Sequence, residues 1–135
     1  MLDRFVSSIQ FQGQALTLRA ERQKVLAGNI ANAETPGYKA RDFDFASALS
    51  AATAGPARRP GVGLDAAGQP AAAGAAEARD LALQYRLPEQ ASMDGNTVEL
   101  DRERANFADN SVRYEATLRF INGGVRTMLS AIRGE

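Results

Sequence analysis

A run of helical periodicity about thirty residues long stops at Pro36-Gly37, and this break limits the folds open to the chain more than any other feature. Proline has no backbone N–H to donate and forces the residue before it, Thr35, out of the helical region. Pro36-Gly37 suits the two central positions of a type II turn, with Gly37 supplying the positive φ. Asn29 and Asn32 are suited to satisfying the free carbonyls or amides at such a helix end. The stretch Asn29-Ile30-Ala31-Asn32-Ala33-Glu34-Thr35-Pro36-Gly37-Tyr38 is therefore an ordinary helix stop or, given its density of special residues, a specific joint with Tyr38 at its tip.

Ahead of the break, Leu2, Phe5, Ile9, Gln12, Leu16, Arg19, Gln23, Leu26 and Ile30 follow three-four spacing. That spacing predicts one helix roughly 40 to 45 Å long, closer to one strand of a bundle or coiled coil than to a helix of a small globule. The polar seam positions Gln12, Arg19 and Gln23 are either partly solvated or set register and meet polar partners.

Beyond the break, Asp42-Phe43-Asp44-Phe45 alternates acid and aromatic, as a half-buried extended segment does, or else starts a helix through Leu49. Residues 50–78 are rich in Ala, Gly and Pro and bury too little apolar surface to offset ordering, so a flexible excursion is expected there. Residues 81–88 alternate again and predict an extended segment that pairs with residues 42–45. Asp94-Gly95 is a turn signal, and Asn96 with Glu99 three residues on has the form of a capping box.

The second helix is expected from about Thr97 to Ile132. Its seam is Leu100, Arg104, Phe107, Ser111, Tyr114, Leu118, Ile121, Val125, Met128 and Ile132, and the last five hold strict four-three spacing. Gly123-Gly124 within it either permits a bend or lets another backbone approach. The two seams pair in antiparallel fashion, giving a mainly α fold: a coiled-coil-like hairpin of terminal helices, a small extended or β segment and a flexible Ala/Gly/Pro-rich middle. The chain divides as one domain into 1–33, a helix; 34–96, the joint, extended segments and insert; and 97–135, a helix. Phe11, Leu18, Val112, Phe120 and Leu129 lie off the narrow seams, where an isolated hairpin exposes them, so association with similar chains is expected.

Composition removes several function classes. With 16 basic and 16 acidic residues the net charge is +0, which argues against a nucleic-acid binder that neutralises phosphates. No Cys and no His leaves no thiolate nucleophile, no disulfide and no common general base or metal ligand. Only carboxylates remain, and Glu99, Asp101 and Glu103 have basic neighbours that read as solvated ion pairs. No catalytic residue, cofactor site or metal site is assigned, and no small-molecule substrate is expected. The N-terminus lacks the basic-then-apolar pattern of a cleavable signal peptide.

The segment Asn29 to Tyr38 resembles the signature that follows the N-terminal helix in bacterial flagellar rod and hook axial proteins. Arg22 to Ala27, Lys39 to Phe45 and Asp94 to Leu100 are similar more narrowly to the proximal-rod members. The likeness covers roughly the first 45 and last 50 residues, and the Ala/Gly-rich middle matches nothing in it. It implies a structural subunit of the basal-body rod that assembles through its terminal helices and carries torque in flagellum-dependent motility. It also implies type III export without a cleavable signal, a place in the periplasm-spanning rod, and as partners the chain itself, other rod proteins, a FliE-type adaptor at the membrane ring and the export apparatus. Phe5 and Ile9 fit a Phe-x-x-x-apolar pattern of early export substrates. The joint residues are Asn29, Asn32, Thr35, Pro36, Gly37 and Tyr38, with Tyr38 a contact to a neighbour. The assembly seam is Leu2, Phe5, Ile9, Leu16, Leu26, Ile30, Leu118, Ile121, Val125, Met128 and Ile132. The alternative is a soluble cytoplasmic helical adaptor or chaperone acting as a dimer.

Overall fold

The computed structural model describes residues 2–54, 83–89 and 92–134. Helix α1 spans Leu2–Ala31, strand β1 Arg41–Asp42, helix α2 Phe45–Thr53, strand β2 Gln84–Tyr85 and helix α3 Leu100–Arg133. At 1.5 Å per residue α1 and α3 are about 45 and 50 Å long. They run antiparallel: Asn29 meets Glu103, Gln23 meets Ser111, and the ring of Phe5 lies against Gly124. The expected helical hairpin is thus present.

The apolar core is small. Ala15, Leu18, Leu26, Ala40 and Phe43 are its buried members among the described residues. They lie where α1 meets α2 and the strands. Leu18 is fully covered there, contrary to the expectation that it lies off the packed face: α2 and the β1 region occupy a second side of α1. Full burial of a leucine of this kind contributes about 1.5–3 kcal/mol. Phe11, Val112, Phe120 and Leu129 do remain exposed.

Both readings of residues 42–45 hold in part. Arg41 and Asp42 are extended, and Asp44 then caps α2 by accepting from Ala46 N at 3.2 Å and Ser47 N at 3.3 Å. Residues 50–53 accordingly belong to α2, a correction to the start of the Ala/Gly excursion; the rest of that excursion, 55–78, lies outside the described residues. β1 and β2 pair antiparallel with Arg41 opposite Tyr85 and Asp42 opposite Gln84, close to the expected pairing. The Arg41 guanidinium stands 5.4 Å from the Tyr85 ring centroid.

The expected capping box is not formed, and α3 begins at Leu100 instead of Thr97. Asn96 Nδ2 serves the joint while its Oδ1 accepts from Val98 N at 2.7 Å, and residues 97–99 lie ahead of the helix. Gly123-Gly124 introduces no break in α3. Its C-terminal end, Arg133, falls one residue past the expected Ile132, with Gly134 closing the helix at φ 75° and donating to Ser130 O.

Candidate functional site

Three layers of polar contact hold the joint in place. At the end of α1, Asn32 Nδ2 donates to Gly28 O at 2.8 Å and Thr35 Oγ1 donates to Asn32 Oδ1 at 3.2 Å. The turn follows, with Tyr38 N donating to Thr35 O at 3.2 Å and Gly37 at φ 72°, as the type II turn requires. Asn96 then closes the turn from the other end of the chain. Its Nδ2 faces Ala33 O at 2.8 Å, Thr35 O at 2.9 Å and Asn32 O at 3.1 Å, so one amide gathers three backbone carbonyls just past the end of α1.

Residues 94–97 run alongside residues 37–40. Gly37 N donates to Asp94 O at 2.9 Å, Thr97 N to Tyr38 O at 3.0 Å and Ala40 N to Thr97 Oγ1 at 2.8 Å. Gly95, also at positive φ (73°), sits so that a Cβ there would lie 3.9 Å from Gly37 Cα. The two turns therefore pack backbone to backbone.

Asn29 is completely buried and fully used. Its Nδ2 donates to Arg41 O at 2.7 Å and Glu103 Oε2 at 3.0 Å, while its Oδ1 accepts from Arg41 N at 3.1 Å and Tyr38 Oη at 3.4 Å. Tyr38 is half-buried, and its hydroxyl is turned inward to Asn29. Pro36, Thr35 and Gly37 lie exposed at the outside of the turn.

Next to Asn29 lies a clasp of four charges from four elements or segments. Arg22 of α1 donates from Nε and Nη2 to the two Asp42 oxygens at 3.2 and 2.9 Å. Arg86, just past β2, donates from one nitrogen to Asp42 and from another to Glu103 of α3. Two guanidiniums and two carboxylates balance, which is the condition for keeping ions out of water at tolerable cost. Glu103 is 1% exposed, so it is not the solvated pair expected of the helix's charged face. Burial pushes the Asp42 carboxyl up, but the Arg22 hydrogen bonds, the Phe43 N–H and the charges of Arg22 and Arg86 together hold it below its ordinary value. The hydrogen bond to Asp42 likewise raises Arg22, against burial.

Further along α3 the inward line stays polar. Glu103, Asn110 and Thr117 are buried at seven-residue intervals, and Gly124 continues the line to Phe5. Asn110 Nδ2 donates to Arg19 O at 2.9 Å and Gln23 Oε1 at 2.5 Å, and Gln23 Nε2 donates to Ser111 Oγ at 2.6 Å. Of the polar seam residues, Gln23 therefore ties α1 to α3. Arg19 stacks its guanidinium 4.4 Å from the Phe45 ring centroid of α2, and burial together with Arg113 lowers its pKa.

The apolar seam is only half-covered. Leu26 is buried; Phe5, Ile9, Leu16, Ile30, Ile121 and Met128 are half-buried; Leu118, Val125 and Ile132 are 40%, 40% and 70% exposed. For Leu2 only the backbone is described. Sequence reasoning missed Arg22, Asp42, Arg86, Glu103 and Asn110 as a group. The seven-residue recurrence of Glu103, Asn110 and Thr117 was the available signal. Among the described residues no group of acidic side chains is placed to hold a metal ion, and no helix is long and apolar enough to cross a membrane.

A family model described as "Flagella basal body rod protein" matches residues 9–39, most of α1 together with the joint. The match extends much further among individual proteins. The chain is 46% identical over 135 residues to the flagellar basal body rod protein FlgB of Yersinia enterocolitica, covering 98% of each chain. It is 47% identical over 138 residues to FlgB of Salmonella typhimurium, covering 99% of each, and 42% identical over 132 residues to that of Cereibacter sphaeroides, covering 97% of this chain and 98% of the relative. The chain belongs to the FlgB family of flagellar basal body rod proteins. The FlgB likeness runs across the Ala/Gly-rich middle as well, wider than the two ends on which the motif resemblance stood. As a FlgB-family member the chain is a structural subunit of the basal-body rod, associated with other rod components, and the cytoplasmic adaptor alternative has no support among these relatives.

Proposed function

We propose that residues 1–33 and 97–135 are the assembly helices of this rod subunit, and that residues 34–96 form the joint and insert that they carry. The observation that supports this most directly is the α3 seam, whose side chains at Leu118, Val125 and Ile132 stand 40–70% exposed beside an already formed helical hairpin. A strictly spaced apolar line that its own partner helix leaves open is a surface for a neighbour. Asn29, Asn32, Thr35, Pro36, Gly37 and Tyr38 hold the turn that lets the chain leave α1 without disturbing that line.

The mechanism is packing and load transfer, with no turnover; the carboxylates nearest to a cluster, Asp42 and Glu103, are committed to Arg22 and Arg86. On this reading the neighbours are further copies, other rod proteins and a FliE-type adaptor at the membrane ring. The chain reaches the periplasm-spanning rod through the flagellar type III apparatus. Replacing Val125 or Met128 by Asp places an unpaired charge in the seam and is expected to abolish incorporation into isolated basal bodies and swimming. Normal motility in both strains contradicts the seam assignment.

A further inference from the structure

We propose that the groove on the open side of the α1–α3 hairpin receives the outer face of α3 from Val112 to Phe120, centred on Ala116, from a second copy of this chain lying parallel to it. The proposal rests on the rod-subunit reading and specifies which two faces meet. The groove has a volume of about 550 Å³ and lies between Ala20 and Ala27 on one wall and Phe107 and Tyr114 on the other. Each pair is seven residues apart, so small side chains face large ones over two turns. This leaves a hole of the kind that accepts a knob from a third helix.

A matching knob stands on the same chain, on a side that cannot reach its own groove. Phe120 follows Tyr114 by six residues, which at 100° per residue turns it well away from the groove. Phe120 is 70% exposed and Val112 68%, and with Ala116 between them they line a shallow depression of about 300 Å³. An exposed aromatic beside small residues is the usual anchor of a protein interface.

Charge fixes the occupant and its direction. Lys24 and Glu115 line the groove, and the contact of Asn110 with Gln23 places Lys24 nearer the N-terminal end of α3 than Glu115. Along the outer face, Asp109 precedes Val112 and Arg119 precedes Phe120. In the parallel orientation Asp109 therefore meets the neighbour's cationic position and Arg119 its anionic one. Within the free chain these side chains form solvent-exposed ion pairs, Lys24 with Glu21, Arg113 with Asp109 and Arg119 with Glu115, which exchange partners at little cost. A face-to-groove contact of this sort is heterologous, so it propagates from copy to copy without closing on a two-fold axis.

The chain contains no Cys, so introduced thiols report without background. Cells co-expressing differently tagged Ala20→Cys and Ala116→Cys chains are oxidised, and their basal bodies are isolated and run on non-reducing gels. Mixed dimers in several-fold excess over like–like dimers are expected. Like–like dimers in excess, or no dimers from basal bodies that contain both chains, overturn the proposal. Adding Lys24→Glu should lower the mixed-dimer yield about threefold, and Asp109→Lys on the partner variant should restore it, a size set by exposed ion pairs; absence of rescue also overturns it. Presence of the chains in basal bodies is scored separately, so failure of the rod reading is distinguishable from failure of this interface.

Discussion

Asp42 accepts from Arg22 through both oxygens and from Arg86 through one, so its negative charge is stabilised in the folded chain more than in the unfolded one. Its folded pKa lies below the ordinary value of 3.8. The sign follows from that order. The contribution is fully present above the unfolded value and is lost as pH falls through the lower, folded value. Asp42→Asn is therefore expected to cost about 2 kcal/mol near neutrality, in the range for a broken charge-assisted pair. Urea titrations should show that the gap between wild type and variant narrows once pH drops below the ordinary carboxylate range. A gap that widens on acidification would sink this account of the clasp. Asn29 illustrates the same economy without charge: one side-chain amide joins α1, β1, Tyr38 and α3 through four bonds.

Helix α3 shows what an element gains and loses by facing two ways. Its line at Glu103, Asn110 and Thr117 is turned to α1 and is polar, while its apolar line is half-open. Gly123 has no neighbour within 4 Å that a Cβ would meet, and at Gly124 a Cβ would meet Phe5 Cζ at an ordinary 3.6 Å. Gly123→Ala should thus raise the stability of the isolated chain by about 1 kcal/mol, read as a higher melting temperature by circular dichroism. No gain would mean that the glycine serves the free fold in some way its surroundings do not show. The periodicities of both helices and the Pro36-Gly37 turn were legible in the sequence because each is set by residues near one another, and the two short strands because each is marked by its own local alternation, although they pair across the insert. The clasp was not. Arg86 and Glu103 are 17 residues apart and Asn29 and Glu103 74 apart, and hydropathy spacing cannot show that a carboxylate on a charged-looking helix has its cation on another segment. The helix start at Asn96 was misread for the same reason: the amide nitrogen of Asn96 is held by three carbonyls of the distant joint, and its oxygen accepts from Val98 N in a local turn ahead of the helix.

Among the described residues, the buried ones are concentrated at the joint end of the hairpin, between Ala15 and Phe43 of the N-terminal half and Asn96 and Thr117 of the C-terminal half. The other end is held by lighter contacts such as Phe5 against Gly124. Stability should be graded accordingly. Hydrogen-exchange mass spectrometry of the isolated chain is expected to find slow amides over residues 18–30 and 103–117 and fast ones over residues 3–10 and 121–133. Uniform protection along α3 would show that the joint end does not dominate. The clasp, β1, β2 and α2 lie against one flank of the helix pair, and the groove lies on the other. A beam propped along one side resists bending unequally in the two directions, so each subunit is a directional spring, stiff toward its braced flank and compliant toward its bare one.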